Sequence, residues 1–211
     1  MTVKEVIDAL EQFAPLPLQD DYDNAGLQVG LTEAEVSGAL LCLDVTEEIV
    51  SEAMAKGCNL IVSHHPLIFR KLAQVTDTDM VQRSVMMAIK NDITIISMHT
   101  NLDSANGGVN HEMAERLGLQ NIRFLNPQQM NGVEYGMGTI GELSSEISAE
   151  QFVQLVKKTF NCGCVITNPL ISRPIRKIAM VGGAGDCAIR HAEKAGADAF
   201  ITGEMHYHQY F

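Results

Sequence analysis

Asn59-Leu60-Ile61-Val62-Ser63-His64-His65-Pro66 decides the reading of this 211-residue chain. A short apolar, β-branched run ends there in two adjacent imidazoles. A second run, Ile93-Thr94-Ile95-Ile96-Ser97-Met98, ends the same way, in His99-Thr100-Asn101-Leu102-Asp103. Short apolar runs between helical patterns predict buried parallel strands. In open α/β sheets, ligands bind in the crevice beyond the carboxyl ends of the strands. Imidazole and carboxylate gathered at that edge suit a divalent transition metal such as Zn, Mn, Fe or Ni. Neighbours within a strand face opposite ways, so His64 and His65 share a site only where the strand unravels. Pro66 predicts that it does, because it removes a ladder donor and restricts the residue before it.

Outward from these two runs, strands and helices alternate. Strands are predicted over 39–45, 60–63 and 94–98, with helices over 46–56, 79–91 and 108–117. An N-terminal helix begins at a capping box, Thr2-Val3-Lys4-Glu5. Such alternation implies right-handed crossovers and an α/β fold of mainly parallel sheets with flanking helices. The polar, glycine-bearing stretch 126–139 breaks the pattern and predicts a boundary between two α/β lobes, 1–125 and 126–211. In the second lobe, strands are predicted over 139–143, 165–167, 178–181 and 199–202, with helices from Ser148 to about Phe160 and over 186–194.

The composition narrows the function. A hydrophobic fraction of 46% and a charged fraction of 19% belong to an ordinary globular protein. A formal net charge of −11 with no Lys/Arg cluster argues against nucleic acid as a partner. No apolar run approaches the ~20 residues that span a bilayer, and the N-terminus does not read as a signal peptide. Five cysteines with no CxxC pair predict a reduced, cytoplasmic protein, with Cys42, Cys58 and Cys187 as small core residues. A small-molecule substrate, a metal ion or a protein partner remains.

Asp103 is the natural carboxylate ligand and could bridge two ions, although a turn or cap role competes because Ser104-Ala105-Asn106-Gly107-Gly108 follows. His99 can be a ligand, an outer hydrogen-bond donor that orients a ligand, or a general base, and the outer role ranks first. Asp21, Asp23 and Asn24 could line the same crevice or form a solvated turn. Gly182-Gly183-Ala184-Gly185 lies between a predicted strand and helix, where backbone amides can hold a phosphate, and tight turns need such glycines anyway. Glu204, His206 and His208 fall at the end of the last strand, as site groups or as a polar tail. His111 and His191 read as helix-surface residues.

Five stretches in order resemble the NIF-three-like family, the GTP cyclohydrolase 1 type 2 homologues: Asp23-Asn24-Ala25-Gly26-Leu27-Gln28-Val29-Gly30, Ser63-His64-His65-Pro66, His99-Thr100-Asn101-Leu102-Asp103, Gly182-Gly183-Ala184-Gly185 and Ile201-Thr202-Gly203-Glu204. The resemblance implies a protein of two α/β lobes holding two divalent metal ions and assembling as a ring-shaped homohexamer. It makes His64, His65 and Asp103 metal ligands. The family's remaining His and Glu, in an HxxxE-type motif after the Thr-Gly-Glu segment, have no counterpart before Phe211, so the second lobe reads as incomplete at its C-terminus. The leading reading is metal-dependent hydrolysis of a small molecule, cyclohydrolase-like as the family label suggests or phosphoesterase-like, on a nucleotide or phosphoester, with His99 beside the ions as an outer hydrogen-bond partner or base. The rival is a non-catalytic metal-binding or metallochaperone protein that engages another protein.

Overall fold

In the computed structural model, which describes residues 1–211, the capping box forms as read: Thr2 accepts the Glu5 amide, and Glu5 accepts the Thr2 amide at 2.7 Å. It starts α1 (Val3–Phe13), which is followed by β1 (Gly26–Val29), β2 (Ala39–Cys42), α2 (Glu47–Ala55) and β3 (Leu60–Ser63). Next come α3 (Met80–Lys90), β4 (Thr94–Ser97) and the short α4 (Thr100–Ser104). The remaining elements are α5 (Val109–Arg116), β5 (Gln120–Met130), β6 (Val133–Ile147), α6 (Ala149–Thr159), β7 (Ile175–Ala184), α7 (Ile189–Lys194) and β8 (Ala199–Glu204). Two compact units result, Met1–Leu102 and Asp103–Phe211.

The first unit is built on a four-stranded sheet in the order β1-β4-β3-β2. β2, β3 and β4 run parallel, and Ser63 lies opposite Ser97 at their carboxyl ends. β1 runs antiparallel to β4. The side-chain period of two sends Ile61 and Ile95 into one core with Val50, Ala53, Val85 and Ala88 of α2 and α3. The alternate residues Leu60 and Ile96 pack under Val3, Val6 and Leu10 of α1 on the opposite face. A sheet covered on both faces is what the continuous apolar runs require. The expected elements at 60–63 and 94–98 are thus in place, and β1 forms directly after the acidic stretch that holds Asp21, Asp23 and Asn24.

The second unit holds the other sheet, in the order β5-β6-β7-β8. Here only β7 and β8 run parallel, and β5, β6 and β7 pair antiparallel. The α/β class with two sheets stands, but two of the three pairings in this second sheet are antiparallel, where parallel pairing was expected. Leu143, Ile178 and Met180 pack with Phe152 and Val156 of α6 on one face, and Ile140, Ala179 and Val181 pack with Ala188 and Ala192 on the other.

The lobe boundary read at 125/126 falls inside β5, and the compact units divide after Leu102 instead. The polar stretch is a hairpin between β5 and β6, turning at Asn131 (φ 53°) and Gly132 (φ 81°). Both central residues at positive φ make a type I′ turn, for which Asn-Gly is the favoured pair. The strand expected over 165–167 does not form: the segment is irregular and joins neither sheet, although Val165 packs against the core beside Ala199 and Ile201. No helix is long and apolar enough to cross a membrane.

Candidate metal centre

At the carboxyl ends of β3 and β4 the backbone leaves the regular pleat where Pro66 predicts. The His64 amide still donates to Cys42 O (3.1 Å) at the end of β2, and the His65 amide to Leu43 O (2.9 Å) just after it. The chain then turns, and the Ser63 hydroxyl donates to the His65 carbonyl at 2.9 Å. Ser63 and Ser97, both buried, share a hydroxyl contact of 2.8 Å that ties the two strand ends together. This bend puts consecutive histidines on one site, with ring centroids 5.0 Å apart. His99, entering from β4, completes a triangle at 5.3 Å from His64 and 5.6 Å from His65. One ligating nitrogen of each ring lies within 4.8 Å of the other two.

Each ring is oriented by a hydrogen bond from its Nδ1. His64 Nδ1 meets the Met98 carbonyl at 2.8 Å, His65 Nδ1 meets Asp44 Oδ1 at 2.8 Å, and His99 Nδ1 meets Asp23 Oδ1 at 2.7 Å. A carbonyl or carboxylate only accepts, so Nδ1 carries the hydrogen in all three rings. In its neutral form each ring then presents the Nε2 lone pair that a transition metal takes. Carboxylate or carbonyl behind imidazole is the usual outer partner of a metal-bound histidine. The donor set therefore fits a divalent transition metal.

The loop before β1 supplies the firmest of these partners. The Asp23 side chain is fully shielded and accepts from His99, from the Thr100 amide (3.1 Å) and hydroxyl, and from the Asn24 amide (2.7 Å). Burial pushes its carboxyl up, but these hydrogen bonds from His99, Thr100 and Asn24 outweigh burial and hold it below the ordinary carboxylate range. Asp23 is thus an ionised anchor for His99. Asn101, fully buried, accepts the His99 amide at 3.0 Å and donates to Ala14 O at 2.7 Å, which fixes the start of α4.

Of the residues singled out in the sequence, His64, His65 and His99 come together, and Asp23 stands behind His99. Asp103 lies in α4 at the start of the second unit, its backbone carbonyl held by Asn110 Nδ2 at 2.9 Å. Asp44 was missed. Its signal was legible: it follows Cys42-Leu43 at the end of the neighbouring parallel strand, at the same sheet edge as the histidines.

Elsewhere the readings divide. Gly182 and Gly183 continue β7 instead of opening a phosphate loop, and the Gly182 amide donates to Asn110 Oδ1 at 2.8 Å. His206 pairs through Nδ1 with Asp186, which raises its pKa, and His208 lies in an exposed turn. His111 is buried against Phe124, not on the helix surface, and Cys187 is exposed, not in the core.

The family model described as Duf34/NIF3 (NGG1p interacting factor 3) matches residues 1–211. The chain belongs to the Duf34/NIF3 family. This is the family that the five ordered motifs resemble. A Clostridium perfringens member named GTP cyclohydrolase 1 type 2 homolog is 36% identical over 208 residues, spanning 99% of this chain and 79% of that protein. A crystal structure of a Staphylococcus aureus protein superposes with a TM-score of 0.92 at 30% identity, over 100% of this chain and 81% of that one. A Bacillus cereus protein described as related to NIF3 gives 0.92 at 28% identity, over 100% of this Duf34/NIF3 chain and 84% of its own.

Proposed function

We propose that this Duf34/NIF3 protein is a metal-dependent hydrolase of a small molecule, with His64, His65 and Asp103 holding two divalent ions and His99 acting beside them. One observation carries the reading: three convergent imidazoles, each with Nδ1 committed to an obligate acceptor. Divalent ions bound there would supply a hydroxide nucleophile at neutral pH and a Lewis acid for the scissile group.

The chain's own groups do the rest. His64 and His65 are fixed by the Met98 carbonyl and the Asp44 carboxylate, so they hold ligand geometry without rearrangement. Asp23 accepts from His99 Nδ1 and so fixes this ring with its Nε2 lone pair available for a general-base role. His65 is half exposed, which leaves an approach for a small substrate and favours an enzyme over a closed binding site. The relatives' shared name points to opening of a guanine nucleotide ring by water, and the same groups would serve phosphoester hydrolysis. Assembly as a homohexamer belongs to this reading and is read from the mass in solution.

The test is metal analysis of the reconstituted protein, followed by a hydrolysis screen over nucleotides and phosphoesters. His64→Ala and His65→Ala should each lower bound metal sharply while the fold survives. Unchanged stoichiometry in both variants would sink the metal site. Full metal with no metal-dependent turnover across the screen would leave a binding protein in place of an enzyme.

A further inference from the structure

Two aromatic rings stand at the rim of the histidine cluster. Phe69 meets His99 at 6.2 Å between ring centroids with an interplanar angle of 85°, and Tyr22 meets Phe69 at 6.4 Å and 66°. Tyr22 is 67% and Phe69 45% exposed. Single exposed apolar residues are ordinary and need no explanation. The backbone beneath this pair sets it apart. Asn24 Nδ2 donates to Ile68 O at 2.6 Å, Gln28 Oε1 accepts the Ile68 amide at 3.1 Å, and Gln28 Nε2 donates to Asn24 O at 2.6 Å. Two amide side chains thus clasp residue 68, just before Phe69, to residue 24, two beyond Tyr22. Between Tyr22 and Asn24 stands Asp23, the carboxylate on His99. One loop therefore orients a histidine of the cluster and carries an exposed ring, and it is fastened to the loop that carries the other.

The geometry points to Tyr22 and Phe69 as a recognition platform for a planar aromatic or heteroaromatic ring of the substrate; this rests on the metal-hydrolase reading. Aromatic pairs settle offset or edge-to-face at centroid separations of about 4.5–7 Å. Phe69 itself lies 6.2 Å from His99, so a ring seated beside Phe69 on the histidine side brings its substituents toward the imidazoles. An anionic group gains nothing from these ring faces, and an aliphatic group gains only apolar burial without the preferred ring–ring geometry. Fastened loops keep the rings in place before a ligand arrives, which lowers the ordering penalty of binding.

Acetohydroxamate and benzohydroxamate, chelators that differ by methyl against phenyl, provide the test on zinc-loaded protein. Benzohydroxamate should bind about tenfold more tightly, the scale of one good aromatic contact. Phe69→Leu, which keeps an apolar side chain but no ring face, should erase that preference and leave zinc content and acetohydroxamate affinity unchanged. Tyr22→Leu should reduce it. Equal affinities in the unmodified protein, or a preference kept in both variants, would overturn the platform. So would a change in solution mass on Phe69→Leu, which would make the pair a contact between copies. Failure to take up zinc would count against the metal site alone. In that event adenosine titrated into the metal-free protein decides the platform: shifted Tyr22 and Phe69 ring resonances support it, and unmoved ones refute it.

Discussion

Asp23 shows how one residue serves both stability and site. Its carboxylate accepts from His99, from both donors of Thr100 and from Asn24. Asp23→Asn would turn an NH2 group toward some of those donors, so a loss of about 1–3 kcal/mol in urea unfolding is expected. Metal affinity should fall by about 10–100-fold, the usual effect of removing an outer partner. His99→Ala should give a similar loss, and abolition of binding would make His99 a principal ligand. His111 makes the opposite prediction, about acid. Its Nδ1 is buried without a hydrogen-bond partner and its ring lies 4.7 Å from Phe124. Burial lowers its pKa, only partly opposed by Glu115. The unfolded chain then binds a proton near the ordinary value of 6.5 while the folded chain still resists it. Its stabilising effect is complete above that value and is lost as pH falls toward the folded pKa. Urea unfolding between pH 7 and pH 5 should show stability dropping with acid, with a shallower slope in His111→Phe. An unaltered slope would refute it. The pairing of Asp23 with His99 and Thr100 could not be read from the sequence, because they lie more than seventy residues away and only the fold joins them.

At the scale of elements, two glycines separate conformational strain from crowding. Gly132, in the β5–β6 turn, has φ 81° and open space where a Cβ would stand. Gly30, after β1, has φ 108° and would place a Cβ 2.8 Å from Thr94 Cα. Gly132→Ala should therefore destabilise by about 1–2 kcal/mol, from the left-handed backbone alone. Gly30→Ala should lose about 1–3 kcal/mol more, since backbone must move to admit the methyl. Equal losses in thermal unfolding would contradict the crowding. The same contrast explains what was legible. β3 and β4 were plain because both faces are buried, so every residue is apolar or small. The hairpin was hidden because its strands are partly exposed and read as polar, although Asn131-Gly132 announced the turn. The 165–167 run has strand-like residues but joins neither sheet, so residue type alone did not make a strand there.

For the whole molecule, the histidine cluster sits entirely within the unit Met1–Leu102. Zinc at about one hundred times its Kd should stabilise the native state by about 2.7 kcal/mol. Amide-exchange protection should rise most in β3, β4 and the loop that carries Asp23, and least in β7 and β8. Protection gained mainly in β7 and β8 would place the ion elsewhere. The overall class was legible because alternating strand and helix patterns leave few ways to bury both faces of a sheet, whereas the division at Leu102 left no mark in composition. The Ser63–Ser97 contact has a further consequence, for how such a protein can change over time. Hydrogen-bonded strands lie about 4.8 Å apart, and the two histidine-bearing ends are adjacent strands in register, fastened by their hydroxyls. The sheet itself acts as the ruler for the site. A lineage could lengthen or rebuild the connection between Lys71 and Thr78, which joins β3 to α3, without respacing the imidazoles. A single residue inserted within β3 or β4 would instead reverse every side chain beyond it, and descendants carrying one should be absent.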